Sequence, residues 1–267
     1  MMKYCFYYVI LLCLASCSRY DVTYTDETKV IGHGGMGITH DFPLNSFESI
    51  ALCLHKGADG VEMDVQMTKD SVLVAYHDRY LESSLDASGS IYDMNWEQAK
   101  SLEYDKLLYT EYKLVRLEDI FQNLPEFRDK TFFFDMKTFS PDTTGEHLQT
   151  MLRQTVRLID KYKLSQPVIE VKSEALGKAV KQLNPSLRVF IYKNFDDGFR
   201  ISQSNNFEGI TIDVDLLTQD QVNKADSVGL EIAVLNTHSR ERNDLAHTLE
   251  VAYNQTDMVS YVMRQYK

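Results

Sequence analysis

The sequence predicts an α/β protein built as a single (β/α)8 TIM barrel, on three observations. Short apolar runs alternate with longer amphipathic ones from Lys29 to the end of the chain, the pattern of parallel strands covered by helices. Eight or more strand-like runs fit into roughly 240 residues, which favours a closed barrel over an open doubly wound sheet. With 267 residues the chain is long enough for one large domain.

The elements follow in order. Lys29-Val-Ile-Gly-His33 reads as a strand and Gly34-Gly35-Met36-Gly37 as a flexible loop. Asn45 is placed to cap a helix with Glu48 at the third position of a capping box, and Gly57 closes that helix after Lys56. Two runs then flank the turn signal Thr68-Lys69-Asp70-Ser71. The first alternates Val61, Met63 and Val65 with Glu62, Asp64 and Gln66, so both acids share one face of a strand. The second, Val72 to Tyr76, ends in His77-Asp78. Too little chain separates Asp64 from Val72 for a crossover helix, so the unit after the second strand is irregular. A small inserted segment at 79–113 carries a short helix near Trp96 to Leu102.

Helix Leu117 to Leu124 and strand Thr131 to Lys137 come next, then helix Gly145 to Lys163 and strand Val168 to Lys172. Helix Ala175 to Leu183 precedes strands Arg188 to Tyr192 and Gly209 to Asp215. Helix Gln219 to Val228, strand Glu231 to Leu235, helix Asp244 to Tyr253 and an apolar run Met258 to Met263 complete the chain. That makes nine strand-like runs, one more than the barrel takes. The sequence alone does not say which one is surplus.

The first residues are a separate matter. Lys3 precedes an apolar run, Cys5 to Leu14, that is far too short to cross a bilayer. It ends in Leu14-Ala15-Ser16-Cys17, which resembles a bacterial lipobox. The expected organisation is a lipoprotein signal peptide at 1–16, a tether at 17–28 and the barrel at 29–267. The expected location is outside the cytoplasm, periplasmic or at the cell surface, with a lipid on Cys17 holding the chain to a membrane. An ordinary secretion signal or a buried N-terminal strand are the alternatives. Only Cys53 then remains in the folded domain, so no internal disulfide supports it. The net charge of −11, with no basic stripe, disfavours nucleic acid as a partner.

In such a barrel the working groups lie at the C-terminal ends of the strands. The polar residues at those positions are His33, Glu62, Asp64, His77, Asp135 and Lys137. Carboxylates crowded onto one face repel unless a cation sits among them, and a hard divalent ion such as Ca²⁺ or Mg²⁺ suits oxygen ligands. Taken alone, Glu62 and Asp64 fit a solvated outer face equally well, and His77 an ordinary strand-end histidine. Together, three carboxylates, two histidines and a lysine are the inventory for metal-assisted cleavage of a phosphodiester.

These residues also carry a resemblance. Gly57-Ala58-Asp59-Gly60-Val61-Glu62-Met63-Asp64-Val65, followed by Thr68-Lys69-Asp70-Ser71 and His77-Asp78, resembles the glycerophosphodiester phosphodiesterases. His33-Gly34-Gly35 stands where that family has His-Arg-Gly, and Pro43-Leu44-Asn45-Ser46 where it has Pro-Glu-Asn-Thr. Leu117-Glu118-Asp119-Ile120 and Asp135-Met136-Lys137 match two further motifs, and the likeness thins after Lys137. It implies His33 and His77 as the acid/base pair and Glu62, Asp64 and Asp135 as ligands of Ca²⁺ or Mg²⁺. Lys137 and Asn45 would contact substrate, although capping explains Asn45 and Ser46 equally well. The implied reaction hydrolyses a glycerophosphodiester to glycerol 3-phosphate and an alcohol.

The departures are Gly34 for arginine, Leu44 for glutamate and Asp135 for glutamate, the last one methylene shorter, which leaves a contact to the ion through water open. Near the last strands Leu235-Asn236-Thr237-His238 replaces a usual aromatic residue, and His238 fits either the barrel mouth or an exposed loop. Glu170 and Lys172 share a strand face, either as a structural ion pair or as a replacement carboxylate and cation. Two other functions remain open from sequence. One is a phosphoinositide- or lysophospholipid-directed barrel that forms a cyclic phosphate, and the other a binding lipoprotein that has lost the reaction.

Overall fold

The computed structural model describes residues 28–38, 41–105, 111–140, 142 and 145–267. The predicted signal peptide and nearly all of the tether lie outside the described residues. Thr28, the last tether residue, is already buried.

The chain runs β1 (Lys29–His33), α1 (Phe47–His55), β2 (Gly60–Met67) and β3 (Leu73–Ala75). It continues through α2 (Trp96–Ala99), β4 (Val115–Arg116), α3 (Leu117–Asn123), β5 (Thr131–Met136) and α4 (Glu146–Tyr162). Next come β6 (Gln166–Val171), α5 (Glu174–Leu183), β7 (Arg188–Tyr192), α6 (Phe195–Asn205) and β8 (Gly209–Asp213). The last elements are α7 (Gln219–Asp226), β9 (Glu231–Thr237), α8 (Arg240–Thr248), β10 (Tyr253–Thr256) and α9 (Val259–Tyr266). Strands β1, β2 and β5 to β10 pair in parallel, and β1 bonds both β10 and β2, which closes the barrel.

The irregular unit is a hairpin. The end of β2 turns back antiparallel into β3, which pairs antiparallel with β4 outside the barrel. The insertion that follows has its own small core of Val74, Tyr76, Leu81, Leu85, Ile91, Ala99, Leu102, Tyr104 and Leu114.

The alternation in β2 does what period two requires. Val61, Met63 and Val65 pack outward into the large core shared with the helices, whereas Glu62 and Asp64 go to the opposite face. Inside the barrel, Ile31, Phe133, Val168, Phe190, Ala233 and Tyr253 form a plug. Three rings of that plug meet edge to face, Phe133 with Phe190 at 5.4 Å and with Tyr253 at 5.1 Å. Aromatic edges sit favourably on neighbouring faces, and this plug is the floor beneath the mouth. Cys53 is buried and makes no disulfide among the described residues.

Four local expectations are corrected. The eighth barrel strand is Tyr253–Thr256, of which the sequence places only Tyr253, at the end of a helix; the apolar run Met258 to Met263 caps and enters α9 rather than forming a strand. Helix α6 is not foreseen from the sequence, because it carries Gly198 and a polar stretch. A side chain at 198 would come within 2.8 Å of Ile210, so glycine there lets the helix lie close on β8. The cap of α1 is Ser46, whose hydroxyl accepts from Ser49 N at 3.2 Å, not Asn45. Asn45 instead has φ +65°, a left-handed conformation that asparagine tolerates better than most residues.

Candidate active site

The hairpin explains how residues far apart in sequence meet. Because β3 runs back along β2, Tyr76 N donates to Asp64 O at 2.9 Å, and His77 returns to the C-terminal mouth. There a cavity of about 280 Å³ is lined by His33, Glu62, Asp64, His77, Asp135 and Lys137, the six polar residues expected at the strand ends. Glu170, Lys172, Tyr192, His238, Gln255 and Asp257 also line it.

Glu62, Asp64 and Asp135 each offer an oxygen, and these atoms lie within 4.8 Å of one another. All three residues are buried. Lys137 sits among them, its Nζ 2.6 Å from Asp64 Oδ1 and hydrogen-bonded to Asp135 Oδ2. Burial disfavours charge on Lys137, but Asp64, Asp135 and Glu62 outweigh it and hold the amine firmly protonated. Burial likewise opposes charge on Asp64, and Lys137 reverses the balance and lowers its pKa. Burial and then the Asp64 charge push the Glu62 carboxyl well above the usual range, and His33, 4.0 Å away, only partly offsets them.

This chemistry fits a divalent cation. The donors are hard oxygens, Glu62 is destabilised as an anion, and Asp135 Oδ1 is buried with no hydrogen-bond partner. Asp135 belongs to the cluster despite its short side chain. Asn45 is fully buried; its Nδ2 donates to Asp64 Oδ2 at 2.6 Å and its Oδ1 accepts from Asp64 N at 3.0 Å. It therefore orients a carboxylate of the cluster.

His33 lies at the end of β1. Its Nδ1 is 2.7 Å from Asp257 Oδ1 and its Nε2 is 4.0 Å from Glu62 Oε2. Burial works against a charged ring, yet the Asp257 hydrogen bond and the Glu62 charge push His33 up to about 10. Asp257 is not legible in the sequence because it follows β10, a strand without an apolar run. The loop after β1 passes it closely: Gly37 has φ +81°, and a Cβ there would fall 2.2 Å from Asp257 Cα. Asp257 Oδ1 also accepts from Ile38 N at 3.0 Å, which ties that loop to the mouth. His77 is about half exposed, with Nδ1 3.0 Å from Asp78 Oδ1.

The departures at 34 and 44 are neighbours in space. Gly34 has φ +51°, and a Cβ on it would lie 2.9 Å from the Leu44 side chain. Leu44 thus fills the room in which a side chain at 34 would begin. Gly34 N donates to Glu62 Oε2 at 3.1 Å, so the backbone here serves the acid directly.

Glu170 and Lys172 do not pair with each other. Glu170 Oε2 accepts from Thr211 Oγ1 at 2.8 Å and from Gln255 Nε2 at 2.9 Å. Burial and the nearby Asp135 charge push its carboxyl up to about 7. Lys172 lies over the Tyr192 ring with Nζ 3.9 Å from Asp135 Oδ2. His238 is exposed and also reaches the mouth, with Arg242 Nη1 2.6 Å from its Nε2.

A closed barrel with a buried acidic cluster and two imidazoles at its C-terminal mouth defines a barrel with a candidate cation site. The chain belongs to the Glycerophosphoryl diester phosphodiesterase family, whose profile matches residues 36–259. It is similar to glycerophosphodiester phosphodiesterase 1 of Rattus norvegicus, 32% identical over 116 residues, which is 42% of this chain and 34% of that protein. A glycerophosphodiester phosphodiesterase of Caldanaerobacter subterraneus is 25% identical over 164 residues, 61% of this chain and 65% of its own length. The chain therefore aligns with less than two thirds of either relative. In fold it resembles a glycerophosphodiester phosphodiesterase from Parabacteroides distasonis, with TM-score 0.76, 23% identity, and 90% and 97% of the two chains covered. It also resembles an Oleispira antarctica phosphodiesterase solved with the product sn-glycerol-3-phosphate, with TM-score 0.78, 16% identity, and 91% and 98% covered.

Proposed function

We propose that this protein hydrolyses glycerophosphodiesters to glycerol 3-phosphate and an alcohol, with a divalent cation held by Glu62, Asp64 and Asp135. One observation carries the reading: the three acids lie within 4.8 Å of one another in a cavity that His33 and His77 also line. Membership of the family and the product seen in the Oleispira antarctica relative support it. A hard cation bound there would polarise a phosphoryl oxygen and offset the negative charge that grows on it.

The chain's own groups supply the rest. Asp257 accepts a hydrogen bond from His33 Nδ1–H, which leaves Nε2 turned to Glu62 and the cavity. A ring held protonated is suited to act as general acid, giving its proton to the leaving alkoxide as the P–O bond breaks. His77, oriented by Asp78, accepts the proton of the attacking water. Lys137 fixes Asp64 and Asp135, and Lys172 offers the phosphate a partly exposed ammonium across the mouth.

Turnover of glycerophospho-alcohols is expected with Ca²⁺ or Mg²⁺ and lost in excess chelator. Full activity in chelator would reject the cation, and binding without turnover would mark a protein that kept the fold alone. Phosphorus NMR of the product should show an open monoester; a cyclic phosphate would mean attack by a neighbouring hydroxyl.

We also infer export and lipid anchoring at Cys17, from the lipobox-like Leu14-Ala15-Ser16-Cys17. Among the described residues no helix is long and apolar enough to cross a membrane, so anchoring would rest on the lipid. Cys17→Ala should release the protein from the membrane fraction and abolish labelling by a fatty-acid probe. Labelling unchanged in that variant would reject the anchor.

A further inference from the structure

We propose that Glu170 recognises a free hydroxyl on the glycerol end of the substrate, and so selects a polyol phosphodiester over one lacking that hydroxyl. The inference rests on the phosphodiesterase reading of the same mouth and assigns a role to a residue that the reading leaves unused.

Glu170 is 3% exposed at the end of β6 and lines the cavity, beside Asp135 in the neighbouring strand. It stands outside the group of acids close enough to share a cation, which comprises Glu62, Asp64 and Asp135. Lys172 does not neutralise it, since that ammonium lies toward Asp135 and Tyr192. Its hydrogen bonds are also lopsided. Thr211 from β8 and Gln255 from β10 both donate to Oε2, at 2.8 and 2.9 Å. Among the described residues none donates to Oε1.

Two donors from two strands therefore pin one oxygen and leave the other as an acceptor at the cavity wall. A carboxylate buried at this depth is costly unless its oxygens find donors. A substrate hydroxyl supplies such a donor where the protein provides none. The cavity, about 280 Å³, has room for a small polyol phosphate. With Glu170 on that wall, the glycerol end enters toward β6, β8 and β10 and the variable alcohol is directed away from them. The same arrangement predicts selectivity on the buried side and tolerance on the outer one.

The test uses the whole protein with Mg²⁺ or Ca²⁺ and three substrates. These are glycerophosphocholine and its analogues lacking the hydroxyl at carbon 1 or at carbon 2 of the glycerol. Wild-type kcat/KM should fall about 10- to 100-fold for one deoxy analogue, the range expected for a hydrogen bond to a charged group. Glu170→Ala should lower kcat/KM for glycerophosphocholine to the level of that analogue, while leaving the analogue itself nearly unchanged. Glu170→Gln should fall between the two, because its amide oxygen satisfies Thr211 and Gln255 and presents NH₂ to the cavity.

Equal wild-type rates on all three substrates would overturn the proposal, whether or not the variants fold. So would a Glu170→Ala loss that is the same for every substrate, or a calorimetric fall in Mg²⁺ or Ca²⁺ affinity that accounts for the whole effect. Wild-type turnover of none of the three would instead overturn the phosphodiesterase reading, and Glu170's role with it.

Discussion

His33 depends on a carboxylate 224 positions away in the chain, Asp257, at 2.7 Å from its Nδ1. That contact fixes which nitrogen faces the substrate and raises the ring's proton affinity together with Glu62. His33→Ala should lower kcat by about 10² to 10⁴, the usual contribution of a positioned acid or base. Asp257→Asn should give a smaller loss and shift the acid/base limb of the pH–rate profile to lower pH, since the ring loses its anionic partner. A profile that kept its shape would show that Asp257 acts only on the loop through Ile38. Glu62, Asp64, Asp135, His33, His77 and Lys137 are named by motif and by position at strand ends. Asp257, Gln255 and the positioning role of Asn45 are not, because each depends on a neighbour that only the closed barrel supplies.

At the scale of elements, β10 shows why one barrel strand is hard to read. Its residues are Tyr-Asn-Gln-Thr rather than an apolar run, although all four are buried. Tyr253 joins the inner plug, and Gln255 donates to Glu170. Asn254 and Thr256 donate to Asn243 Oδ1 on α8, at 3.0 and 2.6 Å. Asn243 Nδ2 in turn donates to Thr237 O and Ser239 O at 2.8 and 2.7 Å. One buried amide thus satisfies groups from β9, the N-cap of α8 and β10, where a hydrophobic contact would ordinarily stand. Asn243→Ala should destabilise the protein by about 3 kcal/mol or more, because several buried polar groups lose their partner at once. Denaturant unfolding measures this, and a change below about 1 kcal/mol would mean that water replaces the amide.

For the molecule as a whole, the barrel brings strand ends to one rim, and its last helices seal the chain's return to β1. His247 on α8 is buried and stacks on Tyr266 of α9 with ring centroids 3.7 Å apart. Burial, with some help from Lys267, depresses its pKa to about 4. A depressed folded-state value means that the neutral ring contributes fully above its unfolded pKa of about 6.5. That contribution is lost as the pH falls through the window from about 6.5 to 4. The loss amounts to at most about 3 kcal/mol. His247→Gln should therefore lose less stability than the wild type between pH 7 and pH 4.5 in parallel melts. Identical pH dependences would remove His247 from the acid response.

The sequence by itself determined the barrel, an irregular unit after its second strand, and the principal polar residues of the mouth; that this unit is an antiparallel hairpin only the structure decided. Strand alternation and turn signals are local, and the residues between Gly57 and Asp78 fix which side chains share a face whatever lies around them. The tertiary structure alone decided which segment is the eighth strand, that Asp257 stands behind His33, and that Glu170 answers to Thr211 and Gln255 rather than to Lys172. Those facts depend on hydrogen bonds between strands distant in sequence. A polar side chain that is buried and satisfied by such a partner leaves no hydrophobic period by which to find it.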